Sequence, residues 1–297
     1  MADICVVGLG NMGTAFASTV AQFEWGVVAW NRNPARETPP GVRRVTNLHE
    51  AILDAPLVLV ILLDHSVCTE VFSQPDVISA LDGRTVINFT TSTPEEARQF
   101  GELMGNAGAR VLSGVIPAYP ADIGNADTGL ILSGDESLWQ RTSAVLRVLG
   151  PKSWWAGTDL GAAPALDLAM VGAFYHTAWG AFLEAMAYAE SHGVSHEHSA
   201  QLGRAMTELL ASSIDLSLEQ VGKGDFSTDQ ATVDVHLAAL DLIADSMSEL
   251  AAGRKLALAS IENDLRVAQA RGLGDRSLSV IYGQLIDPTF RGTTSDS

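Results

Sequence analysis

Lysine, cysteine and long apolar runs are scarce in this 297-residue chain, and each shortage excludes something. The only lysines are Lys152, Lys223 and Lys255, which leaves few places for a catalytic amine. The two cysteines, Cys5 and Cys68, both sit in apolar surroundings. Two thiols make no disulfide framework and too few ligands for a metal site, so no metal is expected and a reducing cytoplasm is the default. No apolar run reaches the roughly 18 residues a membrane helix needs. The longest, 56–63, is strand-sized. Strand-like residues begin at Ile4, without the basic region and apolar core of an export signal, so export is not expected. Basic side chains are outnumbered, 18 against 35 acidic, for a net charge of −17. A phosphate backbone or an anionic bilayer would be repelled, which argues against nucleic-acid and membrane partners. What remains is an ordinary globular balance, 47% hydrophobic and 18% charged.

The two halves of the chain differ in pattern. In the first, apolar β-rich runs at 4–7, 27–30, 57–63, 85–89, 110–115 and 129–132 are mostly separated by helix-length segments. That alternation predicts parallel βαβ units, with strands apolar enough to be buried on both faces. From about Gly161 onward no strand signal occurs. The stretch 165–191 reads as one long helix, apolar on nearly all sides, which demands burial, here with a second subunit as one way to provide it. Further helices are expected near 196–221, 229–251, 253–270 and 275–286, punctuated by Gly222, Gly224, Gly253, Gly272 and Gly274. The expectation is an α/β domain over 1–160, an all-α domain over 161–290, and a polar, disordered tail over 291–297.

The sharpest local signal is Gly8-Leu9-Gly10-Asn11-Met12-Gly13, which follows a strand and opens a helix. In a Rossmann dinucleotide site the first glycine permits the turn, the second admits the pyrophosphate and the third lets helix and strand pack closely. The helix N-terminus adds free N–H groups and a positive dipole for the phosphates. The next position to read is the end of the second strand, about 20 residues on, where an NAD site carries a carboxylate for the ribose 2′-hydroxyl. This chain has Asn31-Arg32-Asn33, with Arg36 a turn later. With no carboxylate to repel a 2′-phosphate and Arg32 to bind it, the pattern selects NADPH. The plain alternative makes Arg32 and Arg36 solvated surface residues.

The long helix carries a single acid near its start. Asp167 is the only carboxylate between Asp159 and Glu184, and Tyr175 follows eight positions later. At helical spacing, Asp167, Met170, Val171, Phe174, Tyr175 and Ala178 share a face: one carboxylate and one phenol in an apolar wall, suited to a small-molecule pocket. The competing reading is structural, since an Asp in the first turns complements the helix dipole and a Tyr fills cores.

The chain resembles the NADPH-dependent imine reductases, or reductive aminases, a branch of the β-hydroxyacid dehydrogenase superfamily. The likeness rests on 7–13, 30–33, Asn88-Phe-Thr-Thr-Ser-Thr-Pro94, Val115-Ile-Pro-Ala-Tyr-Pro-Ala-Asp-Ile-Gly124, Leu132-Ser-Gly134, the Asp167 helix and Ala231-Thr-Val-Asp-Val-His-Leu-Ala-Ala239, and spans about 1–290. It implies reduction of C=N bonds in cyclic imines or iminium ions, Asp167 where hydroxyacid dehydrogenases carry a lysine, and a functional Tyr175. It also implies cofactor contacts at Leu62, Leu63 and Thr91, and a substrate pocket including Ile116, Met170, Val171, Phe174, Trp179, His236 and Leu237. Helices of a second subunit would close that pocket in an intertwined homodimer. Reductive aminases often have Asn where this chain has Thr91, so reduction of a preformed imine is the firmer expectation than coupling of ketone and amine. An NADP-dependent 3-hydroxyacid dehydrogenase and a non-catalytic NADPH sensor stay open as alternatives. His192, His196 and His198 lie in an inter-helix turn and are read as surface residues, with Ser195 as a helix cap. Trp154 and Trp155 are read as packing at the domain junction.

Overall fold

The computed structural model describes residues 1–248 and 255–291. Contacts divide the chain into two compact units, Met1–Phe174 and Tyr175–Ser297.

The first unit is built on one eight-stranded sheet. In chain order its strands are β1 (Ile4–Val7), β2 (Val27–Trp30), β3 (Val42–Arg44), β4 (Leu57–Val60), β5 (Thr85–Asn88), β6 (Arg110–Val115), β7 (Ile131–Gly134) and β8 (Trp154–Gly157). They lie in the order β3-β2-β1-β4-β5-β6-β7-β8. Every residue of β1, β4 and β5 is buried, as strands covered on both faces must be. Alternate residues feed opposite faces. Cys5, Val7, Val58, Val60 and Val86 join one apolar cluster, and Ile4, Val6, Leu57, Leu59 and Ile87 join the other. Fully burying a Val, Leu or Ile contributes about 1.5–3 kcal/mol each, so these strands form the backbone of the core.

The helices of this unit are α1 (Asn11–Val20), α2 (Leu48–Leu53), α3 (His65–Phe72), α4 (Pro75–Ala80), α5 (Pro94–Asn106), α6 (Glu136–Leu149) and α7 (Ala162–Leu166). Most start on a polar cap: Asn47 for α2, Asp64 for α3, a Thr93/Glu96 capping box for α5 and Asp135 for α6. In contrast, α1 begins at Gly10 with no side-chain cap.

The sheet departs from the sequence reading in two ways. β3 and β8 were not anticipated: both are short strands, and they form the two edges of the sheet. β7 runs antiparallel to β6, an exception to the parallel βαβ units read from the alternation. The segment between them holds only the short 3-10 turn Pro120–Asp122 and no crossover helix, and without a crossover the chain can only return antiparallel. The first contact unit also takes in α7 and the π-helical residues up to Phe174. The reason is that α7 is tied to the sheet. Ser133 Oγ donates to the Leu160 carbonyl (3.0 Å) and accepts the Ala163 N–H (3.1 Å), and Ala163 is fully buried.

From α7 the chain stays helical to Ser191, in three pieces. A π-helical segment, Asp167–Tyr175, joins α7 to α8 (His176–Ser191). The wider turn of a π segment alters the α-helical spacing used above to place Asp167 and Tyr175 on one face. The second unit continues with α9 (His196–Lys223), α10 (Val233–Ser246), α11 (Ala259–Ala270) and α12 (Val280–Ile286). Among its described residues β structure is limited to isolated bridges, as between Thr232 and Ser277. α10 starts later than expected because Thr232 caps it. Gly224 ends α9 in the left-handed conformation (φ 64°) that glycine adopts without strain. Gly253 and 292–297 lie outside the described residues. The core of this unit gathers Phe226, Val233, Leu237, Leu265, Val280 and Ile281. Nothing in the π segment or α8 is buried, and in α9 only Gln220 is. Within one chain, the long apolar helix therefore lacks the burial its composition demands.

Candidate cofactor and catalytic residues

The carboxyl ends of β1 and β4 meet where the strand order reverses, the place where open α/β sheets bind ligands. The glycine turn leaves β1 there, and its three glycines differ in what requires them. Gly8 has φ +103°, and a Cβ on it would lie 2.1 Å from the Ile61 carbonyl oxygen. A Cβ on Gly13 would lie 2.0 Å from the Gly8 carbonyl oxygen. Both are demanded by the fold itself. A Cβ on Gly10 would meet nothing within 4 Å, and its backbone (φ −64°, ψ −176°) suits any residue. Nothing among the described residues needs Gly10 to be small. The open space above it, beside the uncapped N-terminus of α1, fits a dinucleotide pyrophosphate.

The turn after β2 is wired to this one. Asn31 Oδ1 accepts the Leu9 N–H (2.9 Å). Arg36 donates through Nε to the Leu9 carbonyl (2.7 Å) and through Nη2 to Asn11 Oδ1 (3.0 Å). Asn33 Oδ1 accepts the Ala35 N–H (2.9 Å). Leu9 itself is 0% exposed, and its N–H and carbonyl are both engaged within the protein, so its contribution is to hold the turn. Met12 is half-buried and packs against the core. Arg32 is exposed and reaches Glu70 on α3 (3.2 Å). Sequence reasoning missed two residues here, Glu70 and Arg44, since neither lies in the motif and only the fold brings them to it. Beyond β4, Leu62 donates its N–H to Thr90 Oγ1 (3.0 Å), Leu63 is 83% exposed, and Thr91 is exposed after β5.

Asp167 sits at the junction of α7 and the π segment, partly buried, and burial raises its carboxyl above the ordinary carboxylate range with no other cause. Hydrogen-bond donors pull other shifted carboxylates the opposite way, as at Asp64, Asp135 and Asp159. A carboxyl that desolvation favours in its neutral form, in an apolar segment, is a candidate for proton chemistry. Tyr175 closes the π segment, with its ring edge-on to His176 (5.4 Å) and tilted against Trp179 (5.8 Å). His176 was not singled out from sequence. Met170, Phe174 and Trp179 are exposed, Val171 and Ile116 half-buried. On α10, Leu237 is 3% exposed in the core of its unit, whereas its neighbour His236 is half-buried and keeps accessible surface.

Among the described residues, no group of three His, Cys, Asp or Glu side chains is placed to hold a metal ion, and no helix is long and apolar enough to cross a membrane.

The sheet order and glycine turn define the class, a dinucleotide-binding oxidoreductase fold with a helical second domain. Comparisons narrow it. Residues 3–157 match the family described as the NAD binding domain of 6-phosphogluconate dehydrogenase. Residues 159–286 match the NADPH-dependent reductive aminase-like C-terminal domain. An NADPH-dependent reductive aminase of Aspergillus oryzae (strain ATCC 42149 / RIB 40) is 28% identical over 285 residues, covering 94% of this chain and 95% of that protein. The solved imine reductase from Myxococcus stipitatus in complex with NADP+ is 25% identical, covers 95% of this chain and 99% of its own, and has a TM-score of 0.88. A reductive aminase from Aspergillus terreus, in complex with NADPH and ethyl levulinate, is 26% identical, with 96% and 99% coverage and a TM-score of 0.87. The chain belongs to the NADPH-dependent imine reductase and reductive aminase family.

Proposed function

We propose that this protein is an NADPH-dependent imine reductase. It reduces the C=N bond of cyclic imines and iminium ions to amines, and takes ketone and amine together where they condense to such an imine. The observation that carries the catalytic assignment is Asp167, a desolvated carboxyl at the head of an apolar helix. NADPH, when bound, supplies the hydride.

The residues of the chain do the rest. The space at Gly10 and the N-terminus of α1 hold the pyrophosphate, with Asn11 and Met12 in the first turn. Arg32 and Arg36, framed by Asn31 and Asn33, hold the 2′-phosphate through charge-assisted hydrogen bonds. Leu62, Leu63 and Thr91 border the nicotinamide half. In the first unit Ile116, Met170, Val171 and Phe174, and in the second Trp179 and His236 with Leu237, supply apolar surface for the substrate; such surface excludes water and strengthens the field at the reacting atoms. A protonated Asp167 gives its proton from the carboxyl oxygen to the imine nitrogen; an ionised one pairs with an iminium N–H. Its upward shift widens the pH range in which it keeps the proton. Tyr175 anchors the substrate. Residues 1–160 act as the NADP-binding part and 161–290 as the substrate and dimerisation part. The exposed apolar surface of the π segment, α8 and α9 supports an intertwined homodimer that covers it. Two buried, protonated thiols, Cys5 near 12 and Cys68 near 11, suit a reducing cytoplasm.

The experiment mixes purified protein and NADPH with a small cyclic imine and follows nicotinamide absorbance, beside wells with NADH and with a 3-hydroxyacid plus NADP+. Consumption of NADPH with the imine, far slower with NADH, is the expected result. Turnover of the hydroxyacid in its place would move the protein to the hydroxyacid dehydrogenases, and no turnover in any well would leave the substrate open, with tight NADPH binding then strengthening the sensor reading.

A further inference from the structure

Arg44 belongs to no motif of the cofactor turn, yet the fold sets it under that turn. It lies on β3, in register with Ala29 of β2, and is half-buried. Its Nη1 donates to the carbonyl of Arg36. Its Nη2 donates to the carbonyl of Asn33 (3.2 Å). One rigid guanidinium fork therefore clasps both ends of the 33–36 turn. The Asn33 carbonyl is a shared node, since it also accepts the Arg36 N–H (3.2 Å) and Asn31 Nδ2 (3.1 Å). Through Arg36 the clasp extends to the Leu9 carbonyl and Asn11 Oδ1 of the glycine turn.

The acceptors of Arg44 are neutral carbonyls. Its neighbour Arg43 pairs with Asp54, but none of the described ion pairs includes Arg44. A full positive charge is thus held against neutral acceptors at the turn, with no carboxylate paired to it among the described residues. Partly buried, it is screened less than the exposed arginines.

We propose that Arg44 is the positioning residue that sets preference for the phosphorylated cofactor. It holds the 33–36 turn so that Arg32 and Arg36 face the 2′-phosphate, and it adds an uncompensated charge to that corner. The proposal rests on the reading that this turn receives a 2′-phosphate. A 2′-hydroxyl would gain little from either effect, so the consequence is selective for NADPH.

The test is binding without turnover. Dissociation constants for NADPH and for NADH are measured by fluorescence titration with the wild type, Arg44→Met and Arg44→Lys, alongside thermal unfolding of each. Arg44→Met keeps an apolar stem and removes fork and charge; Arg44→Lys restores the charge alone. The expected result is NADPH binding weakened at least tenfold in Arg44→Met, NADH binding changed less than twofold, and Arg44→Lys in between. A merely structural role would weaken both cofactors together, and that outcome, like an unchanged preference in both variants, overturns the proposal. If Arg44→Met does not fold, the NADPH-to-NADH ratio of Arg44→Lys decides alone. A wild type that binds both cofactors equally would overturn the 2′-phosphate reading itself, which separates that failure from the failure of Arg44.

Discussion

Replacing Gly10 and Gly13 by alanine, one at a time, should separate a glycine the ligand needs from one the fold needs. At Gly13 the new methyl would lie 2.0 Å from the Gly8 carbonyl oxygen, about an ångström inside the closest contact that Cβ atoms make, and the obstacle is backbone. Either α1 moves away from β1 or the turn opens. Overpacking of this kind costs about 1–3 kcal/mol and sometimes more, and the immovable acceptor puts this site at about 3. Units of this size lose roughly 2–4 °C per kcal/mol, so melting should fall by about 6–12 °C. At Gly10 the methyl meets nothing within 4 Å and the backbone already suits alanine. Stability should hold within about 0.5 kcal/mol, or rise slightly because the unfolded chain loses freedom. The same methyl stands where the pyrophosphate must approach, so NADPH affinity should fall at least about tenfold, or ~1.4 kcal/mol. Thermal unfolding without ligand and a fluorescence titration with NADPH read the two effects apart. A Gly10→Ala protein that binds NADPH like the wild type would refute the assignment of this turn to the pyrophosphate.

Asp167→Asn should lower kcat for the imine about a hundredfold or more, the usual scale for a lost proton donor. It should also raise stability in a pH-dependent way. Folding raises the Asp167 carboxyl, so the wild type is at no disadvantage below the ordinary carboxylate pKa of about 4 and loses stability as pH climbs through the raised value. The melting gap in favour of Asn should therefore be largest near pH 8 and vanish in acid; a gap independent of pH contradicts the shift. Glu70→Gln should release Arg32 from its exposed ion pair and tighten NADPH relative to NADH by about two- to fivefold, since such pairs contribute at most about 1 kcal/mol; an unchanged ratio would show that Glu70 does not compete. Leu209→Arg, on the exposed apolar surface of α9, should leave a monomer by sedimentation equilibrium, because a two-fold interface would bury the unpaired charge twice. A dimer of unchanged affinity would place the interface elsewhere.

The legible parts of the sequence were those where one residue type answers one physical demand. Gly8 and Gly13 announce a turn that no side chain fits, and runs such as 4–7 and 57–60 announce strands covered on both faces. Asp167 stands out because a lone acid in an apolar helix is conspicuous in any register. What stayed hidden depends on neighbours rather than on local pattern. β3 is three residues long and two of them are arginines, an edge-strand composition that carries no apolar alternation. Arg44 and Glu70 reach the cofactor turn only because β3 and α3 lie beside it. The π register of 167–175 is a matter of backbone bonding that apolar composition does not encode, so the α-helical face drawn from the sequence was only approximate there. Leu237 and His236 are adjacent in the chain, and which of the two enters the core is decided by how α10 packs in its unit.

Transfer of deuterium tests the central claim most directly. The wild type is given NADPH labelled with deuterium in the transferable C4 position and a small cyclic imine, and the amine is analysed by mass spectrometry. The account predicts one deuterium at the former imine carbon, with Asp167→Asn yielding the same labelled product far more slowly. An amine without the label, or no amine while NADPH binds tightly, would contradict it.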